Sequence, residues 1–412
     1  MVLCGNPRLL DPVCRELLAR GCSVWWLYDR FALRSWLRWR PAGVGQLVCD
    51  SSLGRENRLV QPAVGTVDCR GVDLAGPLKR WIADRLATHG RRQTRIVEAI
   101  DTHFGRLRPD VLVLDEDATP LARAAVALAR RHRAASFVVQ HGAPVCRFGF
   151  VPLAADRFLA WGRSSRDQLT RWGMPGERIQ ITGSPQHDAL CRALRSRRRR
   201  RPAAENRPPR ILLLATSPPR DDRPDSVAFH LTAGNYAGML RMALEAVSEI
   251  PGAELVVKLH PRTPHDPIAR AVLAEFPSLA SRVVTGGPLA MWLARADCVL
   301  SCASSAGVES TLAGVPVIQL LPAGSGDVLP HDAWGMIGTA RHRVELEPLL
   351  ARALCDDWQP APRPDPNVFG DCDGVAAARI AGAVLAQHTP IGRRAEPVLA
   401  TLCESMQYLD DL

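Results

Sequence analysis

Residues 298–320 read CVLSCASSAGVESTLAGVPVIQL and indicate the fold more clearly than any other stretch of the chain. Apolar runs at 298–301 and 316–320 are predicted strands. The segment between them starts with small and hydroxyl-bearing residues and is long enough for a turn and a helix. Because strands joined through a helix pair in parallel, this stretch predicts one strand–helix–strand unit of a parallel sheet.

The same alternation extends through both halves of the chain. Further strands are predicted at 2–4, 23–28, 111–114, 136–140, 157–161, 179–182, 211–215, 254–259 and 282–285. Helices are predicted at 11–20, 74–107 and 120–132, and between most strands of the second half. Short apolar runs joined by helices are typical of parallel sheets covered on both faces. The sequence therefore predicts an α/β protein with two Rossmann-like domains.

The length and a basic segment divide the chain in two. A chain of 412 residues suits two domains of about 200 residues. Residues 192–209 read RALRSRRRRRPAAENRPP, which has no apolar periodicity and contains three prolines. We predict an N-terminal Rossmann-like domain at 1–191, an Arg/Pro-rich linker at 192–209 and a C-terminal Rossmann-like domain at 210–372.

The formal net charge is +10, and Lys79 and Lys258 are the only lysines. The arginine run at 192–201 is interpreted as a solvated linker, with attraction to anionic lipid on the cytoplasmic leaflet as an alternative. Nucleic-acid binding is disfavoured because no aromatic residues interleave with the arginines to stack on bases.

The twelve cysteines are scattered, without a CxxC pair or a Cys/His zinc pattern. They are predicted to be reduced, buried thiols, and a metal site at Cys298 and Cys302 is disfavoured. The sequence contains no apolar stretch of about 18 residues, so no transmembrane helix is predicted. The N-terminus lacks the pattern of a signal peptide. The predicted location is the cytoplasm, with peripheral contact at the inner membrane as an option.

Ligands of open parallel sheets bind beyond the carboxyl ends of the strands, so the residues after each strand are candidates. Asp115, Glu116 and Asp117 follow one strand. They can supply a general base, because crowded carboxylates raise one another's pKa, or Asp117 or Thr119 can simply cap the next helix. His141, in the sequence Gln-His-Gly, is a candidate hydrogen-bond donor to a sugar or phosphate, or an ordinary loop histidine.

Three further segments are candidates for phosphate binding. Gly183 and Ser184 form a strand–glycine–helix turn, which favours anions but is equally typical of a tight turn. Lys258, His260, Pro261 and Arg262 end a strand with cationic groups, and Pro261 favours an extended His260. Ser304, Ser305 and Gly307 begin a helix whose free N–H groups suit a phosphate, unless Ser304 is an ordinary N-cap. Glu309, one turn later, is a candidate acceptor for a ribose diol.

The order of these motifs resembles a known superfamily. The segments QHG, GSPQHD, KLHPR, SSAGVESTLAGVPVI and FGDCDGVAAARI are similar to GT-B enzymes of bacterial surface-polysaccharide synthesis. These include capsule-type glycosyltransferases, sialyl- and Kdo-transferases and CDP-glycerol transferases, and more distantly UDP-GlcNAc 2-epimerases. The resemblance spans residues 108–386. It implies two Rossmann-like domains whose parallel sheets face a central cleft, with helices at 373–412 that cross back to the first domain.

The resemblance also implies a function and roles for residues. It implies a metal-independent glycosyltransferase that has no cofactor and uses a nucleotide-activated sugar as donor substrate. His260, Ser304 and Ser305 would hold the phosphate, and Asp117 would be the base, with Asp115 and Glu116 as alternates. The acceptor would be a glycan, a lipid-linked molecule or a small molecule, and it would bind the acceptor domain at 1–191. The donor would bind the nucleotide-sugar-binding domain at 210–372. The alternatives are a sugar-nucleotide 2-epimerase, a polyol-phosphate transferase of the CDP-glycerol type and a non-catalytic nucleotide-sugar-binding partner.

Overall fold

The structure is a computed structural model, and the part of the chain it describes includes most of both predicted domains. The described residues are 1–29, 42–49, 68–69, 72–73, 75–145, 147, 149–196, 207–216, 231–261, 263–302, 304–325, 331, 334–355 and 365–386. Arg262, most of the predicted linker and residues 387–412 lie outside them.

Two parallel sheets form the framework. The strands of the described residues are β1 (Val2–Cys4), β2 (Val24–Asp29), β3 (Val44–Cys49), β4 (Asp68–Cys69), β5 (Val72–Asp73), β6 (Val111–Leu114), β7 (Ala135–Val139), β8 (Arg157–Ala160), β9 (Ile179–Ile181), β10 (Arg210–Leu214), β11 (Glu254–Lys258), β12 (Ser281–Val284), β13 (Cys298–Cys302), β14 (Val317–Leu320) and β15 (Gly338–Ala340). The first sheet has the order β3-β2-β1-β6-β7-β8-β9 and the second the order β12-β11-β10-β13-β14-β15. Every pairing within these two sheets is parallel, whereas β4 and β5 form a small antiparallel pair.

Helices cover the sheets. They are α1 (Pro7–Ala19), α2 (Ala75–Leu107), α3 (Pro120–Arg131), α4 (Arg163–Arg171), α5 (Asp188–Ser196), α6 (Ala233–Ser248), α7 (Pro267–Ala274), α8 (Leu289–Leu293), α9 (Ser305–Thr311), α10 (Arg343–Leu354), α11 (Pro366–Phe369) and α12 (Ala376–Ala386). Local signals set their limits. The side chain of Asn6 accepts a hydrogen bond from the N–H of Arg8 at the start of α1, and Gly21 (φ +77°) follows its end.

Buried clusters lie on both faces of each sheet, which is why strands such as β6 and β13 are buried along their whole length. One cluster crosses between the domains. In it Trp161 and Ala143 of the first domain join Leu214, Val308 and other residues of the second. The two domains therefore share a continuous apolar contact.

The C-terminal end of the described chain packs on the first domain. Ala377, Ile380, Ala381 and Val384 of α12 belong to the same buried cluster as residues of β1 and α1. Asp188, which is 5% exposed, holds the start of α12, because one of its carboxylate oxygens accepts from the N–H of Ala376 and the other from that of Ala377, both at 2.9 Å.

A disulfide adds to this junction. Cys191 of α5 is bonded to Cys372, with 5.8 Å between their Cα atoms. The expectation of reduced thiols is therefore wrong for this pair. Seven other cysteines among the described residues are free. Sequence spacing could not identify the pair, because the two residues are 181 positions apart and meet only when the chain returns to the first domain.

The first and last residues of the predicted strands agree with the structure to within one or two positions, and the long helix at 74–107 is confirmed as α2. Two edge strands, β3 and β15, were not predicted. Both lie in stretches that contain glycine and lack a strong apolar run. None of the helices in the described ranges is long and apolar enough to span a membrane.

We expect Asp188→Asn to lower the free energy of unfolding by about 2–3 kcal/mol. The amide keeps one acceptor but turns a donor towards a buried N–H, and it removes a charge that favours the helix N-terminus. Urea unfolding would measure the change, with Asp167→Asn as the control because the Asp167 side chain is 61% exposed. Equal stability of the two variants would contradict the capping role.

Candidate functional site

Each sheet has one position where the strand order reverses direction. In the first sheet it lies between β1 and β6, and in the second between β10 and β13. Crevices for ligands form at such positions, beyond the carboxyl ends of the strands. Gly5 and Asp115 end the first pair of strands, and Ala215 and Ser304 follow the second pair. The fold therefore brings the sequence candidates Asp115 and Ser304 to the two switch points.

Asp115 is fixed at the first switch point. Its Oδ2 accepts a hydrogen bond of 2.8 Å from the N–H of Asn6. Gly5 makes this approach possible, since its φ is +140° and a methyl group there would lie 2.0 Å from Asp115 Oδ1. Burial raises the pKa of Asp115, opposed by the hydrogen bond from Asn6 and by nearby His141. A half-buried carboxyl with a raised pKa is suited to accept and return a proton near neutral pH.

His141 lies beside Asp115. Its Nδ1 is 3.0 Å from the carbonyl oxygen of Asp115, and its ring stacks on Phe150 with 5.0 Å between centroids. A carbonyl oxygen can only accept, so Nδ1 carries the proton and Nε2 of the neutral ring is left as an acceptor. His141 is exposed, which leaves it accessible to a ligand.

Asp117 has a different environment from the one we expected for a base. It is 2% exposed, and its Oδ2 accepts from the backbone N–H groups of Ala154 and Ala155 at 2.5 and 2.9 Å. It does not cap α3, where Thr119 is the N-cap residue and makes no side-chain cap bond. Burial raises the pKa of Asp117, but the carboxylate anchors a loop. This environment gives Asp117 a structural role, and its assignment as the base, with Asp115 and the half-buried Glu116 as alternates, stays a prediction.

The polar residues around His141 serve to hold the strand ends. Gln140 is fully buried, its Oε1 accepts from the N–H of Trp161, and its Nε2 donates to Gly142 and Ser165. A methyl group on Gly142 would lie 3.5 Å from the hydroxyl oxygen of Ser305. The carboxyl ends of the two sheets therefore meet here.

At the second switch point the three small residues have different roles. The hydroxyl of Ser304 accepts from the N–H of Ala306 at 3.2 Å, so Ser304 is the N-cap of α9. Ser305 is half-buried and faces Gly142. Gly307 is required by packing, since a methyl group there would lie 2.3 Å from Ser301 Oγ. Of these three, Ser305 is the one whose side chain faces the first domain.

The cationic candidates follow β11. Lys258 is the last residue of the strand, and burial lowers its pKa. His260 is half-buried, and its carbonyl accepts from the N–H of Thr263 in a turn that exposes Pro261. Arg262 lies outside the described residues. The structure thus places Lys258 and His260 at the carboxyl edge of the second sheet, one strand away from its switch point.

The turn after β9 joins the C-terminal segment. Gly183 has φ +80°, and a methyl group there would lie 3.1 Å from Ala376 and from Arg379 Nη2. Ser184 is buried, with no hydrogen-bond partner for its hydroxyl. The conformation of Gly183 thus has a structural cause, the close approach of α12.

Two residues of this turn were missed in the sequence and contact the second domain. Gln186 Nε2 donates to Glu309 Oε1 at 3.0 Å, and His187 Nε2 lies 3.8 Å from the same oxygen. Their signal was the dipeptide Gln-His in the turn after a strand, the same dipeptide that contains His141. Among the described residues no group of three or more His, Cys, Asp or Glu side chains is arranged to hold a metal ion.

Neither a protein-family model nor a curated protein sequence matches the chain. Solved structures do. The UDP-GlcNAc 2-epimerase of Neisseria meningitidis bound to UDP-GlcNAc has a TM-score of 0.58 at 14% identity, covering 94% of this chain and 99% of that one. The enzyme of Methanocaldococcus jannaschii has 0.57 at 14%, covering 93% and 99%. That of Rickettsia bellii has 0.58 at 14%, covering 94% and 96%.

These similarities confirm the predicted fold, a GT-B arrangement of two Rossmann-like domains with parallel sheets. They also overturn the main functional expectation. Solved structures that share the fold over nearly the whole chain include these UDP-GlcNAc 2-epimerases, and they contradict the expectation of a glycosyltransferase. The sequence motifs could not separate the two, because they belong to a scaffold that both classes share.

Proposed function

We propose that the chain binds a UDP-sugar between its domains and inverts the configuration at C2 of the sugar. One observation carries the proposal, the similarity to UDP-GlcNAc 2-epimerases over 93–94% of this chain. The site geometry supports the proposal. Asp115, whose pKa is raised, lies at the carboxyl edge of the first sheet, and Ser305 and Glu309 of α9 lie at the carboxyl edge of the second.

The chemistry needs proton transfer at carbon. Inversion at C2 breaks its C–H bond, and the electron pair forms a C1–C2 double bond as UDP leaves C1. When UDP adds back to C1, a proton returns to C2 from the opposite face, so acid/base groups are needed on both faces of the ring. Asp115 is our candidate for one of these groups, with Nε2 of His141 as a second proton acceptor or a hydrogen-bond partner of the sugar. Burial raises the pKa of Asp115, which supports the assignment.

The nucleotide would lie on the second domain. His260, Arg262 and Ser305 are the proposed phosphate ligands, and Lys258 adds positive charge to that edge of the sheet. Glu309 is the proposed acceptor for the ribose hydroxyls, since its side chain is 26% exposed and faces the first domain. Ser304 and Gly307 contribute by shaping the start of α9.

The direct test is to incubate the protein with UDP-GlcNAc in D₂O, without any acceptor, and to record ¹H NMR spectra. We expect signals of the 2-epimer to appear, with deuterium at C2 in the product, because the returned proton comes from a group that exchanges with solvent. UDP at about 100 times its Kd should also stabilise the fold by about 2.7 kcal/mol. Thermal stabilisation without exchange or product would contradict the epimerase and favour the non-catalytic nucleotide-sugar-binding partner.

A further inference from the structure

Gln186 and His187 reach from the first domain to a carboxylate of the second. Gln186 Nε2 donates to Glu309 Oε1 at 3.0 Å, while His187 Nε2 is 3.8 Å from that oxygen and 3.4 Å from Gln186 Nε2. These contacts involve Oε1 of Glu309 and leave Oε2 to a ligand. Gln186 thus holds one half of the carboxylate by a hydrogen bond, and His187 lies beside the same oxygen.

His187 is held by aromatic rings. It is 5% exposed, and its ring meets the edge of Trp161 at 4.7 Å and of Phe369 at 5.5 Å between centroids. Trp161 follows β8, and Phe369 belongs to the segment that returns from the second domain. The imidazole is therefore fixed by two separate parts of the chain.

The backbone on both sides of the pair is also fixed. Gly183, with φ +80°, packs against α12, and the carboxylate of Asp188 accepts two N–H groups from the start of that helix. Gln186 and His187 therefore lie between two anchored points, and they meet Glu309 without needing to be ordered by a ligand. A preorganised contact of this kind lowers the entropic cost of binding.

We propose that Gln186 and His187 are positioning residues that orient Glu309 to accept a hydrogen bond from the ribose 2′-hydroxyl of the bound nucleotide. The inference rests on the proposed function, since it needs a nucleotide on the second domain. It adds a first-domain contribution to nucleotide recognition. Without these two residues, Glu309 loses a hydrogen bond, and its side chain regains rotamers that point away from the ribose.

The test compares UDP with 2′-deoxy-UDP by isothermal titration calorimetry on the full chain. We expect the parent protein to prefer UDP by at least about tenfold, because a site built to bond a hydroxyl rejects an analogue that lacks it. Gln186→Met keeps the length of the side chain and removes the donor, and it should lower this preference by about fivefold. His187→Phe fills the space between the aromatic rings and should lower it in the same direction.

The ratio of the two affinities distinguishes a positioning role from general damage to the structure, because general damage would weaken the binding of both nucleotides equally. Gln168→Met is the matched control, because the side chain of Gln168 accepts a hydrogen bond from Arg171 of the same helix, and the preference should not change. In a Glu309→Ala background, Gln186→Met should have no further effect on the preference. Because Gln186 is half-buried, Gln186→Met should fold. The Gln186→Met measurements therefore decide the question if His187→Phe fails to fold.

Three results would overturn the inference. A preference for UDP that persists in Gln186→Met removes the positioning role and leaves the proposed function standing. Binding of UDP by the parent without any preference over 2′-deoxy-UDP removes it too, because Glu309 then bonds no 2′-hydroxyl. Failure of the parent to bind either nucleotide overturns the proposed function, and the inference with it.

Discussion

Asp115→Asn should lower the rate of C2 epimerisation by about 10²–10⁴-fold, while the affinity for UDP stays within about twofold. The amide is nearly isosteric and can still accept from the N–H of Asn6, but it cannot take up a proton, and general acid–base catalysis contributes a factor of this size. Product formation from UDP-GlcNAc measures the first quantity and calorimetry the second. Asp117→Asn is the informative comparison.

Asp117→Asn should act mainly through stability, because it weakens two hydrogen bonds that hold the loop at Ala154 and Ala155. A fully stable Asp117→Asn protein without turnover, beside an active Asp115→Asn protein, would return the role of base to Asp117. The pH dependence gives a second check. Burial raises the native pKa of Asp115, so the native state binds more protons than the unfolded state between the ordinary and the raised pKa. Stability should fall as pH rises through that window in the parent, and this part of the fall should be absent from Asp115→Asn.

Gly162→Ala should lower the free energy of unfolding by about 3 kcal/mol, because the added methyl group has no space. It would lie 2.3 Å from the carbonyl oxygen of Asn367 and 2.7 Å from the carbonyl carbon and oxygen of Val368. These are backbone atoms of α11, which cannot move aside as a flexible side chain can. Chemical denaturation would measure the loss.

The control for this substitution is Gly238→Ala. Gly238 lies inside α6, where a methyl group would meet nothing within 4 Å. Alanine in a helix is favoured over glycine by about 0.5–1 kcal/mol, so this variant should be neutral or more stable. If the two variants had the same stability, α11 would not pack on Gly162 as described.

Much of the fold was predictable from the sequence because its signals are local. The apolar runs before Asp115, Lys258 and Ser304 predicted their strands, and the connectivity rule for parallel sheets then placed these residues at the carboxyl edges. What the side chains do there was not predictable. Asp117 was assigned to catalysis because its nearness to Ala154 and Ala155, 37 and 38 residues further along, has no local signal.

The contacts between distant segments were missed for the same reason. Gln186 and His187 are more than 120 residues from Glu309 in the sequence, and they meet it only because both sheets direct their carboxyl edges towards one another. Similarly, Gly307 was interpreted as part of a phosphate site, whereas the proximity of Ser301 is sufficient to require a glycine. A glycine in a turn has the same sequence signal whether its neighbour is a ligand or another strand.

The bond between Cys191 and Cys372 closes the chain into a covalent ring that contains β10 to β15. A single break of the backbone anywhere within that ring does not release a fragment, because both new ends remain attached to the first domain through the two cysteines. A proteolytic digest that cuts the ring once should therefore migrate as one intact molecule on a denaturing gel, and should separate into two pieces only after the sample is treated with a thiol. Integrity seen under oxidising conditions is thus no measure of resistance to cleavage in this protein.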